Sequence, residues 1–219
     1  SLDEINPVTG TAMIPEANRS LYEVVKSQVG GNWVVNKATR QAVALPGQSS
    51  LGDPNPRFNM SFINNLQYKN IVTFNMQWDW IAGAHLYNQT KQWMYRDGIH
   101  SDYDKPVLIA GQSFAYTAFY RSIYAGGAAN GTKNYFYEDA SFVRLRNISV
   151  GIDLNKFAKV KAFTRLQLVL SGRNLVTFTP YSGMDPEVNF STNSAFERGL
   201  DHNTIPNTKQ YTIGLNVGF

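Results

Sequence analysis

Apolar and polar residues alternate along the end of this chain without a miss. Tyr211, Ile213, Leu215, Val217 and Phe219 share one side of an extended strand, and Thr212, Gly214, Asn216 and Gly218 share the other. Strand side chains point to opposite faces with period two, so one face is greasy and the other polar or bare. Four earlier segments read the same way. Phe58 to Tyr68 gathers Phe58, Met60, Phe62, Leu66 and Tyr68 on a face broken only by Asn64, with Ile63 the exception opposite. Ile71 to Ile81 sets Val72, Phe74, Met76, Trp78 and Trp80 against Thr73, Asn75, Gln77 and Asp79. Ala140 to Leu154 alternates from Asn147 onward, but Val143 and Leu145 sit in the opposite parity, which predicts a β-bulge near Arg146-Asn147. Phe163 to Phe178 places Leu166, Leu168 and Leu170 opposite Arg165, Gln167, Ser171 and Arg173.

The connections between these segments alternate too. Lys69-Asn70 is a two-residue hairpin turn, and about eight residues join the third segment to the fourth. Long stretches, 82–139 and 179–208, follow the second and fourth segments. Short turns at one end and long loops at the other are the rhythm of an antiparallel transmembrane β-barrel with extracellular loops. On that reading Trp78, Trp80, Tyr211, Ile213, Leu215, Val217 and Phe219 face lipid, the two Trp residues forming part of an aromatic girdle. Arg165, Gln167 and Arg173 face a lumen or whatever fills it, and simple solvation there is an equal reading. Residues 1–57 are less regular: Leu21 to Gly30 fits a short helix or a strand, and Asn32 to Val43 a strand. Pro46, Pro54 and Pro56 mark a loop leading into the first clear strand. This region reads as extracellular loop with part of a preceding strand, and 58–219 as barrel.

Composition agrees without deciding. The mean hydropathy is -0.30, and no apolar run reaches the length of a membrane helix. Polar lumen residues cancel lipid-facing ones in any such average. The formal charge of +4 is scattered, with no basic run or nucleic-acid module. The absence of cysteine suits passage through an oxidising compartment but is common elsewhere. The amino end carries no signal-peptide pattern, so either an export signal has been removed or the chain is a piece of something longer.

Four blocks then resemble one family in its own order: Gly52 to Phe58 (GDPNPRF, followed by Tyr68-Lys69), Glu138 to Gly151 (EDASFVRLRNISVG), Ser171 to Glu187 (SGRNLVTFTPYSGMDPE) and Lys209 to Phe219 (KQYTIGLNVGF). They are similar to blocks of the SusC/RagA family of TonB-dependent outer-membrane transporters. The family's acidic DxNGDG stretch has no counterpart in Val34 to Arg40, so no metal is expected there. The resemblance implies the carboxy-terminal portion of a barrel of about twenty-two strands, located in a bacterial outer membrane. Five or six strands close no ligand-sized lumen, and open edges in lipid are costly. The remaining barrel and plug of the same transporter are therefore implied partners. So are a SusD-like surface lipoprotein, TonB acting through an amino-terminal region, and outer-membrane lipid. The implied activity is uptake of a glycan, peptide or similar oligomer. The alternative from a different class is a structural or adhesive outer-membrane module within a larger assembly.

No enzyme constellation is visible, and no cofactor is expected. His85, His100 and His202 are far apart, and no nucleophile has a neighbouring base. The long loops are richer. Tyr87, Trp93, Tyr95, Tyr103, Tyr116, Tyr120 and Tyr124 crowd the first, and Tyr181, Asp185 and Glu187 lie in the second. Aromatic side chains with a polar handle suit sugar stacking and protein interfaces, or packing within a folded loop. They are the candidate ligand or partner contacts.

Overall fold

The computed structural model describes residues 2–3, 5, 9–28, 31–43, 51–115, 117–125, 133–157, 163–190 and 198–218. Phe219 and Tyr116 lie outside them. In chain order the elements are β1 (Tyr22–Ser27), β2 (Gly31–Asn36), β3 (Phe58–Tyr68), β4 (Val72–Ala82), β5 (His85–Asn88), α1 (Gln89–Asp97), β6 (Pro106–Ile109), β7 (Gln112–Ala115), α2 (Thr117–Ala125), β8 (Tyr137–Asp139), β9 (Phe142–Asp153), α3 (Leu154–Phe157), β10 (Arg165–Phe178), β11 (Leu200–Asp201) and β12 (Gln210–Gly218). Among the described residues no helix is long and apolar enough to cross a membrane. The chain forms two compact units.

One unit, 53–86, 139–199 and 204–219, is built on a five-stranded antiparallel meander in the order β12-β10-β9-β4-β3. All five alternating segments are strands, within a few residues of their expected bounds. The β3–β4 hairpin turns through Lys69 and Asn70, both at positive φ (48° and 52°) as in a primed turn, but Tyr68 pairs with Val72, so Ile71 is a third connecting residue where two were expected. The bulge also stands where the parity break required it. Gln77 pairs with Asn147 but Trp78 pairs with Leu145, so Arg146 is left over. On the other side the register shifts between Arg173 and Val176. That single extra residue returns Val143 and Leu145 to the face of Ile148 and Val150.

The other unit, 1–52, 87–138 and 200–203, folds around aromatic rings. The first long loop is thus largely a packed structure of its own. Tyr95, Tyr120, Phe119 and Phe136 are fully buried with Val25, Val35, Val107, Ile109 and Ile123. Phe119 meets Trp33 edge-on at 5.8 Å, and Tyr95 meets Phe136 at 5.3 Å. The helix α1 starts on Asn88, whose side chain accepts the Lys91 N–H at 2.8 Å, and ends on Gly98 in the left-handed region. Within the expected Leu21 to Gly30 segment, Leu21 ends a 3-10 turn (Glu16–Leu21) and Tyr22–Ser27 form β1, while Val29 and Gly30 lie outside the described residues. β1 and β2 pair with each other in a sheet of their own. They add no strand to the five-stranded sheet, because their buried side, Val25 and Val35, belongs to the aromatic core. Removing a ring from so close-packed a core leaves a void. We expect Phe119→Ala to cost this unit about 3–5 kcal/mol, measured as faster amide hydrogen exchange in β1, β2 and α2.

Candidate functional site

The sheet has two chemically opposite faces. Across one run Phe62-Trp78-Leu145, Leu66-Phe74-Val150-Leu170-Ile213 and Tyr68-Val72-Ile152-Leu168-Leu215. Large parts of this face are bare: Phe62 is 52% exposed, Tyr211 77% and Ile213 78%. Trp80 meets Phe58 edge-on at 5.0 Å, and Trp78 stacks near Phe178, so these aromatic residues cluster at the end remote from the β3–β4 turn. Asn64 sits on this face opposite Met76, its Oδ1 buried without a hydrogen bond.

The opposite face is mainly polar, with Ile63 and Val169 as exceptions. Its middle row is Asn65-Asn75-Ser149-Ser171-Thr212, with Asn75 Nδ2 donating to Ser149 Oγ at 3.1 Å. Gln167 lies on this face in register with Asn216 and Asp153, Arg173 with Gln210 and Asn147, and Arg165 with Gly218. Near the short-turn end, Gln67, Thr73, Asp153, Lys156, Arg165 and Gln167 line an open crevice of about 380 Å³.

Toward the long-loop end of the polar face lies a charge cluster that sequence reasoning did not assemble. Arg144, with 3% of its side chain exposed, donates from Nη2 to Asp185 Oδ1, from Nη1 to Glu187 Oε2 at 2.8 Å and from Nε to Thr177 Oγ1 at 3.0 Å. Arg146, freed by the bulge, donates from Nε to Asp79 Oδ2 at 2.7 Å and grips Glu187 with both terminal nitrogens at 2.8 and 2.9 Å. Asp185 also accepts the Glu187 N–H and the Asn207 N–H, each at 2.9 Å. Buried charges are tolerable only when paired and fully hydrogen-bonded, and this arginine meets that condition. Burial tends to raise the Asp185 carboxyl, but hydrogen bonds from Arg144, Glu187 and Asn207 outweigh it and hold the group below its ordinary value.

The loop aromatics part company. Tyr95 and Tyr120 are wholly buried, and Tyr181 is 5% exposed, packed with Ala84, Leu86, Ala140 and Val188. These three fill cores, where a ring gains more by excluding water than it would at a surface. Tyr95 donates to Asp102 Oδ2 at 2.5 Å and shares a hydrogen bond with Tyr135, and Tyr120 donates to the Lys105 carbonyl. Burial, aided by the Asp102 carboxylate, pushes the Tyr95 hydroxyl far up, and burial raises Tyr87 to about 12. Tyr87, Tyr103 and Tyr124 are half-buried against the same core. Trp93 is met edge-on by His202 at 4.5 Å, with the Arg96 guanidinium 5.1 Å from its ring centre. Among the described residues no group of three His, Asp or Glu could hold a metal ion.

A sheet with one bare apolar face, one mainly polar face and hairpins short at one end and long at the other is consistent with a fragment of a β-barrel, and the comparisons with known proteins agree. No protein-family model matches the chain. It is 31% identical over 198 residues to TonB-dependent receptor P3 of Formosa agariphila, covering 88% of this chain and 19% of that protein. It is 26% identical over 95 residues to TonB-dependent receptor SusC of Bacteroides thetaiotaomicron, covering 42% of this chain and 9% of that one. The fold matches the RagAB peptide importer in its open-open state with a TM-score of 0.52 at 19% identity, over 90% of this chain and 22% of the importer chain. The chain is a relative of the SusC/RagA-type TonB-dependent receptors, and it spans about a fifth of the length of receptor P3.

Two outcomes test the cluster. Removing one partner of a buried pair strands the other charge, so we expect Arg144→Met to cost about 3–5 kcal/mol in urea unfolding. The folded pKa of Asp185 is depressed below the ordinary 3.8, so its stabilising contribution is complete above that value and is lost as pH falls through the lower, folded one. A spin label at Met184 should keep its mobility from pH 7 to pH 5, both above that range, and loosen only below about pH 4.

Proposed function

We propose that this chain is the carboxy-terminal barrel portion of a TonB-dependent outer-membrane transporter that takes up an oligomeric nutrient, a glycan or a peptide. The transporter works with a SusD-like surface lipoprotein, with its own plug and with TonB. The observation that carries the reading is the pair of sheet faces: a bare apolar face fits the hydrocarbon of a bilayer, and a polar face fits a wet lumen. The unpaired edges of β3 and β12 take further strands, since an open edge in lipid leaves backbone groups without partners. Arg165, Gln167 and Arg173 then face the lumen or plug. The first long loop, 82–139, is extracellular, and its half-buried Tyr87, Trp93, Tyr103 and Tyr124 are the candidates for contact with a ligand or partner. Its relatives are receptors and transporters, which supports transport without covalent chemistry. The likeness of its fold to a peptide importer supports an oligomer as cargo.

The full-length receptor should fractionate with outer membranes and migrate faster on gels before heating than after. A receptor that is soluble, or whose migration is insensitive to heat, contradicts the proposal. Within the sheet, Met76→Lys should destabilise the receptor in phospholipid vesicles by about 2–4 kcal/mol in urea titrations, while Asn75→Lys, one residue away on the polar face, should cost far less.

A further inference from the structure

We infer that residues 181–188 of the second long loop form a fixed constriction, folded inward over the polar face and pinned there by Arg144 and Arg146. This rests on the transporter reading above and adds to it a particular segment with a particular place in the passage.

The argument begins with the level at which the pin sits. Asp79 lies three residues inside the β4 end at Ala82, about 10 Å down the strand. It is on the polar face, in register with Ser61 on one side and Arg144 on the other. Its side chain is short and held in place, accepting from Ser61 Oγ at 2.8 Å and Gln77 Nε2 at 3.0 Å. It therefore keeps the Arg146 guanidinium, 2.7 Å away through Nε, at its own level. The same guanidinium holds Glu187 by a two-pronged hydrogen bond, so the Glu187 carboxylate is brought down to that level as well. Thr177, also short and on the polar face, does the same for Arg144 and hence for Asp185.

The rest of the segment is anchored at both ends. Tyr181 and Val188 are buried on either side of the acidic pair. Gly183 lies so close to the Tyr181 ring that an added Cβ would clash with it. At the far end Asn207 bonds Asp185 and Glu187, and Asn174 Nδ2 donates to the Thr208 carbonyl at 3.2 Å. Between Tyr181 and Val188 stands Met184, 84% exposed. An apolar side chain is thereby held bare on the pinned segment over the polar face, where material moving through the lumen passes it.

The chain has no cysteine, so Met184→Cys in the full-length receptor gives a specific probe once any cysteines elsewhere are replaced. On intact cells the rate with a small maleimide is compared with that of a maleimide carrying a long polyethylene glycol chain. An inward, pinned loop predicts that the bulky reagent reacts about tenfold more slowly relative to the small one, a ratio equal to about 1.4 kcal/mol of barrier. Adding Asp185→Asn, or the milder Glu187→Ala that leaves Arg144 paired, should abolish that difference. Equal reaction of both reagents in the parent overturns the inward placement. A difference that survives both substitutions overturns the role of the cluster. Heat-modifiable migration, measured on the same samples, separates these outcomes from failure of the barrel itself, which would overturn the transporter reading together with the inference.

Discussion

Backbone amides moved out of water must find partners within the protein, and an antiparallel ladder supplies them only between strands. The meander of β3, β4, β9, β10 and β12 satisfies its interior amides this way. That frees the side chains to differ completely between the two faces. The apolar rows from Leu66 to Ile213 and the polar row from Asn65 to Thr212 are consequences of one period-two pattern held in register over five strands. A slip of one residue in any pair would exchange the faces. The register shifts at one level of the sheet, at Arg146 against β4 and between Arg173 and Val176 in β10, and there a second arginine comes onto the polar side.

Away from the ladder, different forces hold the chain. The unit containing 87–138 has short ladders, β1 with β2 and β6 with β7, and is held together by ring packing around Tyr95, Phe119, Tyr120 and Phe136. Its polar atoms are tied inward: Asp102 takes hydrogen bonds from Tyr95 and Lys105, so a buried carboxylate is paired from both sides. The segment after β10 is held by charge instead. Arg144 is buried among two carboxylates and a threonine, an arrangement whose main product is a defined geometry rather than net stability.

How far these features could be read from sequence follows from the range of the interactions that make them. The strands were legible because alternation is a local signal: Val72 to Trp80 announces its two faces without knowledge of any partner. The bulge was legible for the same reason, as a break in parity between Leu145 and Ile148. The aromatic unit was not, because nine-residue helices such as α1 and α2 leave too short a pattern, and a Tyr destined for a core reads like one destined for a surface. Tyr95 and Tyr120 turned out to be core. The charge cluster was invisible because Arg144 and Asp185 are 41 residues apart. Only their flanking motifs, RLRN and DPE, marked them, and neither motif names its partner.

The central claim is that the two sheet faces meet lipid and lumen. It is tested most directly by a nitroxide scan of residues 72–81 in the full-length receptor reconstituted in bilayers. Collisions with dissolved oxygen, which concentrates in hydrocarbon, are compared with those of a polar nickel chelate. The account predicts a two-residue period, with oxygen favoured at Val72, Phe74, Met76, Trp78 and Trp80 and excluded at Thr73, Asn75, Gln77 and Asp79. A profile without that period, or with its phase inverted, would contradict it.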